Sequence, residues 1–382
     1  MMSKLTLIAT TAFGLEAVVA RELENLGYTD RMTENGRVTF AGDEEAVARC
    51  NLWLRSADRV LIKMGEFKAE SFEELFQGVK KLPWDEILPE NAEFPVTGKS
   101  VKSKLFSVPD CQAITKKAVV EKMKTKYSRE VFEETGAKYK IEVSLLNDIA
   151  TLTIDTTGPG LNKRGYRRIA GEAPLKETLT AAIINLSYWK SGRILLDPRC
   201  GSGTIPIEAA LIAKNQAPGL HRNFVSESWE ILPSGVWTRA REEAKCLIKP
   251  ARKGLISGSD IDPKNVELSL LHAKEAGVSD LVSFKKADVR QFSSKEKFGF
   301  IITNPPYGER LGNTKEVERL YENIGKVFSR LDNWSYYIIT SNPSFERLFG
   351  KKADRRRKLY NGRLECQLYQ YLSKEKPPKK EI

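Results

Sequence analysis

Four short runs in the second half of the chain each end in a polar residue of a narrow kind, and this recurrence restricts the fold more than any other feature. Ile194-Leu195-Leu196 leads into Asp197, Leu255-Ile256-Ser257-Gly258-Ser259 into Asp260, Val282-Ser283-Phe284-Lys285-Lys286-Ala287 into Asp288, and Phe298-Gly299-Phe300-Ile301-Ile302-Thr303 into Asn304. Short runs of this sort, bounded by turn residues, read as strands. From Pro174 onward they alternate with helical patterns, the order that builds a mostly parallel sheet. The expected fold class is α/β, with these polar residues at the carboxyl ends of strands, where open sheets bind ligands.

The stretch after the first run is Asp197-Pro198-Arg199-Cys200-Gly201-Ser202-Gly203-Thr204, followed by a helix start at Ile205-Pro206-Ile207. Gly201 and Gly203 permit close approach of a ligand to the backbone, and the helix N-terminus offers N–H groups. No Gly-Lys-Ser/Thr follows, so this is not a Walker loop. Pro206 stands where a dinucleotide fingerprint requires its third glycine. By themselves the glycines also fit an ordinary strand-to-helix turn; Asp197 makes that reading less attractive.

The last run ends in Asn304-Pro305-Pro306-Tyr307. An exocyclic amine of adenine or guanine is a poor nucleophile because its lone pair is delocalised into the ring. Acceptors at the Asn304 side chain and the Pro305 carbonyl would favour a pyramidal nitrogen and expose that lone pair. Pro305 and Pro306 fix φ and stiffen the loop, and Tyr307 can stack on the base. Asn and Pro also favour plain turns, so the four residues alone leave both readings open.

The ordered series is more specific than its members. A glycine loop, then Asp260 placed for ribose hydroxyls, then Asp288 placed for an adenine amine, then Asn-Pro-Pro-Tyr predicts an S-adenosylmethionine-dependent amino-methyltransferase. Asp197, Gly201, Gly203, Asp260 and Asp288 are the expected cofactor-binding residues, and Asn304, Pro305, Pro306 and Tyr307 the catalytic ones.

With these motifs in hand, the catalytic half resembles Rossmann-like class I methyltransferases of the Asn/Asp-Pro-Pro-Tyr type. The whole chain is similar to the bacterial THUMP-domain RNA guanine-N2 methyltransferases, a family often labelled as N6-adenine-specific DNA methylases. The matching residues include Asn51-Leu52-Trp53-Leu54-Arg55-Ser56-Ala57-Asp58-Arg59-Val60, Ser107-Val108-Pro109-Asp110-Cys111-Gln112, Leu161-Asn162-Lys163-Arg164-Gly165-Tyr166-Arg167, Ala173-Pro174-Leu175-Lys176-Glu177-Thr178-Leu179 and Tyr360-Asn361-Gly362-Arg363-Leu364-Glu365-Cys366. Arg199 departs from the family, which is usually apolar there. The resemblance implies transfer of methyl to the N2 of a guanine in 23S rRNA, in the cytoplasm. It leaves a tRNA guanine-N2 enzyme as the nearest competitor and an adenine-N6 DNA methylase behind it. A non-enzymatic RNA-binding or assembly factor is disfavoured by the intact loop residues.

Organisation along the chain agrees with that assignment. A strand near Leu5, a helix over 14–26, a strand over 36–40 and a helix over 43–54 suit a ferredoxin-like module over residues 1–61. Residues 62–160 are expected to form the THUMP RNA-binding domain, with a helix over 113–127 and strands over 139–144 and 149–155. The remainder, 161–382, is the Rossmann-like domain. Aromatic residues in the insertion after the glycine loop, Phe224, Trp229 and Trp237, suit either a base-pocket wall or packing.

Charge is unevenly distributed. Residues 1–100 carry a net −5, whereas residues 101–200 and 351–382 carry +7 each, out of +12 for the 382-residue chain. Concentrated positive charge suits a nucleic-acid footprint. Within the first block, the THUMP resemblance makes Lys102, Lys104, Lys116 and Lys117 candidate RNA contacts. Lys163, Arg164 and Arg167 form a basic connector that either touches RNA or caps the next domain. Arg355, Arg356 and Arg357 are expected in a connection beside the last hairpin, gripping phosphates or simply solvated. The tail from Ser373 is predicted to be disordered.

No apolar run is long enough to span a bilayer and no secretory signal is evident. Five scattered cysteines without a Cys-x-x-Cys and only two histidines argue for a reducing cytoplasm and against a metal site.

Overall fold

The structure, a computed structural model, describes residues 4–167, 175–307 and 314–375. Most of the expected disordered tail, 376–382, and the Ala173-Pro174 part of the family motifs lie outside the described residues. Two compact units emerge. One contains Met1–Thr11, Ala20–Leu161 and Arg222–Glu243, the other Ala12–Val19, Asn162–His221 and Ala244–Ile382.

The elements of the first unit begin with β1 (Leu5–Thr10), α1 (Glu16–Asn25, its first turn counted in the second unit), β2 (Arg31–Glu34), β3 (Arg37–Gly42), α2 (Glu44–Trp53) and β4 (Arg59–Lys68). They continue with α3 (Phe72–Lys80), α4 (Trp84–Ile87), β5 (Val96–Val101), α5 (Val108–Tyr127), β6 (Ile141–Leu146) and β7 (Ile149–Asp155). Among the described residues one sheet runs β2-β3-β1-β4-β7-β6-β5. Only β5 and β6 are parallel neighbours in it; the other pairs are antiparallel.

The module boundary expected at 61/62 falls inside β4. This strand pairs with β1 through Leu7↔Ile62 and with β7 through Leu61↔Asp155 to Lys68↔Ile149, so the ferredoxin-like and THUMP stretches share one sheet. The first half of this ten-residue strand (Val60, Leu61, Ile62) is buried and its second half more exposed. β2 escapes sequence reading because it is an edge strand with little burial, and Met32 is 55% exposed. By contrast, α2 begins where expected, because the Asp43 carboxylate caps it by accepting from the Ala46 N–H at 2.8 Å. The helix expected over 113–127 starts earlier, at Val108, with Pro109 in its first turn.

The motif residue Asn51 is fully buried. Its amide donates to the Val47 carbonyl at 2.9 Å and to Thr156 Oγ1 at 2.8 Å, while Thr157 Oγ1 donates back to its oxygen at 2.7 Å. It ties α2 to the end of β7, a structural role. The aromatic insertion also packs in this unit. Trp229 stacks on Tyr139 at 4.4 Å and donates to the Lys138 carbonyl, Phe224 stacks on Trp237 at 5.0 Å, and the Ser226 hydroxyl donates to the Thr156 carbonyl at 2.7 Å. All five are buried, which selects packing over a base-pocket wall.

The second unit is doubly wound. Its elements are α6 (Glu177–Leu186), β8 (Leu195–Asp197) and α7 (Thr204–Ala213), with the last residues of α8 (Val236–Cys246), a helix that otherwise belongs to the first unit. Then come β9 (Ile256–Asp260), α9 (Pro263–Glu275), β10 (Val282–Lys286), β11 (Phe300–Thr303), α10 (Thr314–Phe328), β12 (Ser335–Thr340), α11 (Phe345–Phe349), β13 (Arg355–Asn361) and β14 (Leu364–Tyr371). Strand order is β10-β9-β8-β11-β12-β14-β13. The first five are parallel and the final hairpin antiparallel.

Alternate residues of these strands feed two cores. Leu195, Ile256, Phe300 and Ile302 pack with Leu179, Ile183, Ile207 and Ala273 of α6, α7 and α9. Leu196, Ile301, Tyr336 and Ile338 pack with Val317, Tyr321, Ile324 and Phe328 of α10, whose spacing of three and four residues makes one apolar helix face. Arg355 to Lys358, expected in a connection, lie in β13. Three of those four residues are exposed or nearly so on an outer strand, so the run lacks the apolar alternation that marks a half-buried strand.

Candidate active site

The sheet order reverses between β8 and β11. From β8 the chain builds outward through β9 and β10 on one side, then returns to build β11 and β12 on the other. A crevice at the carboxyl ends of such strands is the usual ligand site of an open α/β sheet. Asp197 ends β8, Asp260 ends β9, Asp288 follows β10 by two residues and Asn304 follows β11 directly. The four polar residues singled out from the sequence therefore share one edge.

Asp197 is almost fully buried. It accepts from Thr303 Oγ1 at 2.7 Å and from the Arg199 N–H at 3.1 Å. Burial pushes its carboxyl up to about 7, with the Thr303 hydrogen bond opposing that rise. Such a side chain favours a neighbouring cation. Arg199, the departure from the family pattern, donates its backbone N–H to Asp197, and its charge adds a smaller downward pull on that carboxyl.

The glycines do what the loop requires. Gly201 and Gly203 have φ of +53° and +82°, a region costly for other residues. A Cβ on Gly203 would come within 3.0 Å of Phe284 and Ser269, whereas the space beside Gly201 is open. Gly203 is also the N-cap of α7, and no side chain caps that helix.

Helix α9 secures the loop from below. The Ser269 hydroxyl lies 2.8 Å from the Gly201 carbonyl and His272 Nδ1 lies 3.0 Å from the Ser202 carbonyl. Neither residue was singled out from sequence. The available signal was weak, a serine and a histidine spaced three apart on a helix.

Asp260 is likewise buried and committed. Its carboxylate accepts from the Gly201 N–H at 3.0 Å, the Asp262 N–H at 3.0 Å and Asn265 Nδ2 at 3.2 Å. It clamps the glycine loop to the next strand end. Asp288 accepts from the Arg290 N–H at 2.9 Å and from Arg290 Nε at 2.8 Å. The Arg290 side chain is the first cause holding this carboxyl below its ordinary range.

In the tetrad, the Tyr307 hydroxyl donates to Asn304 Oδ1 at 2.6 Å. This fixes which end of the carboxamide is the acceptor and leaves a second lone pair on it. The Tyr307 ring packs on the core of this unit, and its hydroxyl lies 3.7 Å from Cys366 Sγ. Tyr321, fully buried on α10, donates to the Pro306 carbonyl at 2.7 Å and lies 2.9 Å from Thr340 Oγ1. One hydroxyl proton suffices if Tyr321 gives to Pro306 and receives from Thr340.

The basic candidates fare unevenly. Lys102 is exposed with φ +50°. Lys104 is exposed and paired with Glu70. Lys116 pairs with Glu134, donates to the Phe94 carbonyl at 3.0 Å and lies 3.6 Å over the Phe94 ring, and Lys117 lies 5.8 Å from the Phe76 ring. Lys163 is exposed.

Arg164 and Arg167 correct the expectation of an RNA-touching connector. Arg164 is buried, with Nε 3.4 Å from Glu208 on α7, and Tyr166 donates to the same Glu208 oxygen at 3.1 Å. Arg167 bonds Thr204 Oγ1 at 2.7 Å, Glu177 at 3.2 Å and the Leu175 carbonyl at 3.2 Å. Both guanidiniums hold the helix that follows the glycine loop. Arg355 donates to the Tyr188 hydroxyl at 2.9 Å, Arg356 to Glu346 at 3.0 Å and Arg357 to the Gly14 carbonyl at 2.6 Å.

Among the described residues no helix is long and apolar enough to cross a membrane, and no group of three or more His, Cys, Asp or Glu is placed to hold a metal ion. The described residues include five free cysteines.

Comparison with known proteins adds three domain matches. An RMKL-like methyltransferase domain covers residues 164–370, an RlmL ferredoxin-like domain residues 6–61 and a THUMP domain residues 69–155. The Bacillus subtilis (strain 168) protein "Putative RNA methyltransferase YpsC" is 50% identical over 381 residues, spanning 99% of both chains. A solved "predicted N6-adenine-specific DNA methylase" from Listeria monocytogenes str. 4b F2365 is 51% identical, covers 97% of each chain and superposes with a TM-score of 0.92. SMU.472, "a putative methyltransferase complexed with SAH", is 48% identical, with coverage of 99% and 100% and a TM-score of 0.93.

Proposed function

The chain belongs to the family of RMKL-like methyltransferases that carry an RlmL ferredoxin-like domain and a THUMP domain, and from that membership we propose that it transfers methyl from S-adenosylmethionine to the N2 amine of a guanine in 23S rRNA. The observation that supports methyl transfer to an amine at this site is the joint at the switch point: Thr303 bonds Asp197 at 2.7 Å, so the residue before Asn304 is fixed to the residue that opens the glycine loop; the choice of guanine and of 23S rRNA comes from the family.

The loop suits the cofactor on structural grounds. There is open space beside Gly201 and an uncapped helix start at Gly203. Asp197, a buried carboxyl held near neutrality, would gain from a cationic neighbour. When bound, S-adenosylmethionine supplies an electrophilic methyl group on a positively charged sulfur. Asp197, Gly201, Gly203 and Asp260 would hold it, with Asp288 as the candidate acceptor for its adenine amine.

The chain's own residues then act on the acceptor. Asn304 Oδ1 and the Pro305 carbonyl accept from the two N–H groups of the amine, aiming its lone pair away from them. Tyr307 keeps Oδ1 turned toward the amine and offers its ring edge or face to the base. Tyr321 steadies the Pro306 carbonyl and so the loop's rigidity. No residue need remove the proton before the methyl arrives, because the methylated nitrogen is acidic enough to release it afterwards.

The THUMP domain and the name of the Bacillus subtilis relative favour RNA; the name of the Listeria structure favours adenine N6 in DNA, and the tetrad accommodates either amine. The deciding experiment incubates the purified protein and labelled cofactor with rRNA, tRNA and DNA from cells lacking the gene, followed by nucleoside mass spectrometry. N2-methylguanosine in 23S rRNA is expected. The same nucleoside in tRNA alone would move the substrate, and N6-methyladenine in DNA alone would sink the RNA assignment.

A further inference from the structure

The antiparallel hairpin at the end of the second unit carries an aromatic pair that the chemistry above does not use. β14 pairs with β12 so that Gln367 faces Thr340, the last residue of β12. Leu364 therefore lies beyond the carboxyl ends of the parallel strands, and so does its partner Asn361 at the end of β13. The turn between them stands at the same edge as the tetrad. Cys366, two residues into β14, lies 3.7 Å from the Tyr307 hydroxyl, which ties this hairpin directly to Asn-Pro-Pro-Tyr.

Tyr360, next to the turn, meets Phe13 edge to face with centroids 6.1 Å apart. Phe13 is 51% exposed, an unusual display for a phenylalanine held in a fixed position. Its neighbour Gly14 sets that position. The Gly14 carbonyl accepts from Arg357 Nε at 3.2 Å and from Arg357 Nη2 at 2.6 Å. The Gly14 φ of +90° and a Cβ-to-carbonyl distance of 3.0 Å to Lys358 leave no room for a side chain there. Glu16 accepts from the Gly14 N–H at 2.9 Å. The aromatic ring is thus presented from a loop pinned on both sides of its own peptide.

The surroundings are basic. Arg363 in the turn and Lys358 are exposed; Lys358 lies 5.6 Å over the Tyr360 ring and pairs with Glu365. Exposed aromatic rings beside cations are the usual means of holding unpaired bases, since every base offers a π-face and every linkage a phosphate. A membrane or protein partner would give no reason for the platform to stand beside an amine-methylating tetrad.

We propose that Phe13 and Tyr360 form a stacking platform for a nucleotide flanking the methyl-accepting base of single-stranded RNA, with Arg363 on the adjoining phosphate; this rests on the RNA methyltransferase reading. The platform takes the base next to the extruded one and so keeps the strand in place while the target enters the tetrad.

The test measures binding of a fluorescein-labelled single-stranded oligoribonucleotide, and of the deoxy strand of the same sequence, by anisotropy across a salt series, alongside methyl transfer. Phe13→Ala should weaken RNA binding about 5- to 100-fold and leave the salt slope and the cofactor affinity unchanged. Phe13→Trp should restore binding. Arg363→Ala should reduce the salt slope by about 0.7. RNA affinity and KM unchanged in Phe13→Ala, or Phe13→Trp as weak as alanine, would overturn the platform while active methylation of RNA kept the parent reading. Methyl incorporation into DNA alone, or a deoxy strand that binds more tightly and loses more on Phe13→Ala, would overturn both.

Discussion

Thr303 donates a 2.7 Å hydrogen bond to Asp197, joining the last residue of β11 to the last residue of β8 where the strand order reverses. Each residue is followed directly by one of the two functional loops. The bond therefore sets the register between the loop that suits the cofactor and the tetrad that suits the amine.

Removing that hydroxyl should uncouple the two loops. Thr303→Val keeps the shape but leaves Asp197 one acceptor contact poorer, and loss of a buried hydrogen bond to a carboxylate is worth about 1.5–3 kcal/mol. Cofactor affinity by calorimetry should drop at least about tenfold. The pH dependence should carry the same signature. Folding raises the Asp197 carboxyl from 3.8 to about 7, so stability from this group is full below about pH 4 and is lost as pH rises through about 7. A positively charged cofactor prefers the ionised carboxylate, so its affinity should increase from pH 6 to pH 8 and flatten in Asp197→Asn. A wild-type affinity independent of pH would contradict this.

Asn304 and Asp260 should separate catalysis from binding. Asn304→Ala is expected to lower kcat by about 10²–10³ with little change in cofactor affinity. Asp260→Asn turns a carboxylate that receives Gly201, Asp262 and Asn265 into a partial donor, and should weaken cofactor binding at least about tenfold. Titration of each variant, followed by turnover at saturating cofactor, checks the split. Loss of cofactor binding in Asn304→Ala with turnover retained at saturation would reverse the roles.

Tyr321 should act on rate without touching substrate. Tyr321→Phe loses only the hydroxyl that reaches the Pro306 carbonyl and Thr340. A neutral hydrogen bond is worth about 0.5–1.5 kcal/mol, so kcat should decline roughly 3- to 10-fold. KM for RNA and cofactor affinity should hold. If KM moved and kcat did not, Tyr321 would be shaping the binding surface instead.

Arg164 should behave as a structural residue. Arg164→Ala leaves the buried Glu208 carboxylate without its guanidinium and should cost about 3–5 kcal/mol of stability, read as a lowered denaturation midpoint. The salt slope of RNA binding should stay as in the wild type, whereas exposed Lys102, if it meets a phosphate, should reduce that slope by about 0.7 on replacement by alanine. A stable Arg164→Ala protein with weakened, less salt-dependent RNA binding would restore the connector reading.

The parallel sheet and the edge that carries the site were legible because burial on both faces writes strands as nearly continuous apolar runs, and because their terminal polar residues stood out against them. The partners behind the site were not. Ser269, His272, Thr303 and Tyr321 reach the loops from helices or a strand end, where a lone hydroxyl or imidazole resembles any core residue. Charge misled for a further reason. Arg164 and Arg167 carry the composition of a nucleic-acid contact, and only their burial against Glu208, Glu177 and Thr204 reveals their role. Exposed edge strands such as β2 and β13 lack the alternation that identifies a half-buried strand.

The insertion over 222–243 has a consequence for the order in which this protein matures. Trp229 completes the packing around Tyr139, and Ser226 satisfies the carbonyl of Thr156, 70 positions earlier in the chain, so the first unit takes part of its interior from residues that emerge from the ribosome well after its main body. During synthesis that unit must wait, with Tyr139 uncovered, until the glycine loop and α7 have already been made. A gene fragment ending near residue 160 would encode every strand of the sheet and still lack a wall of its own core.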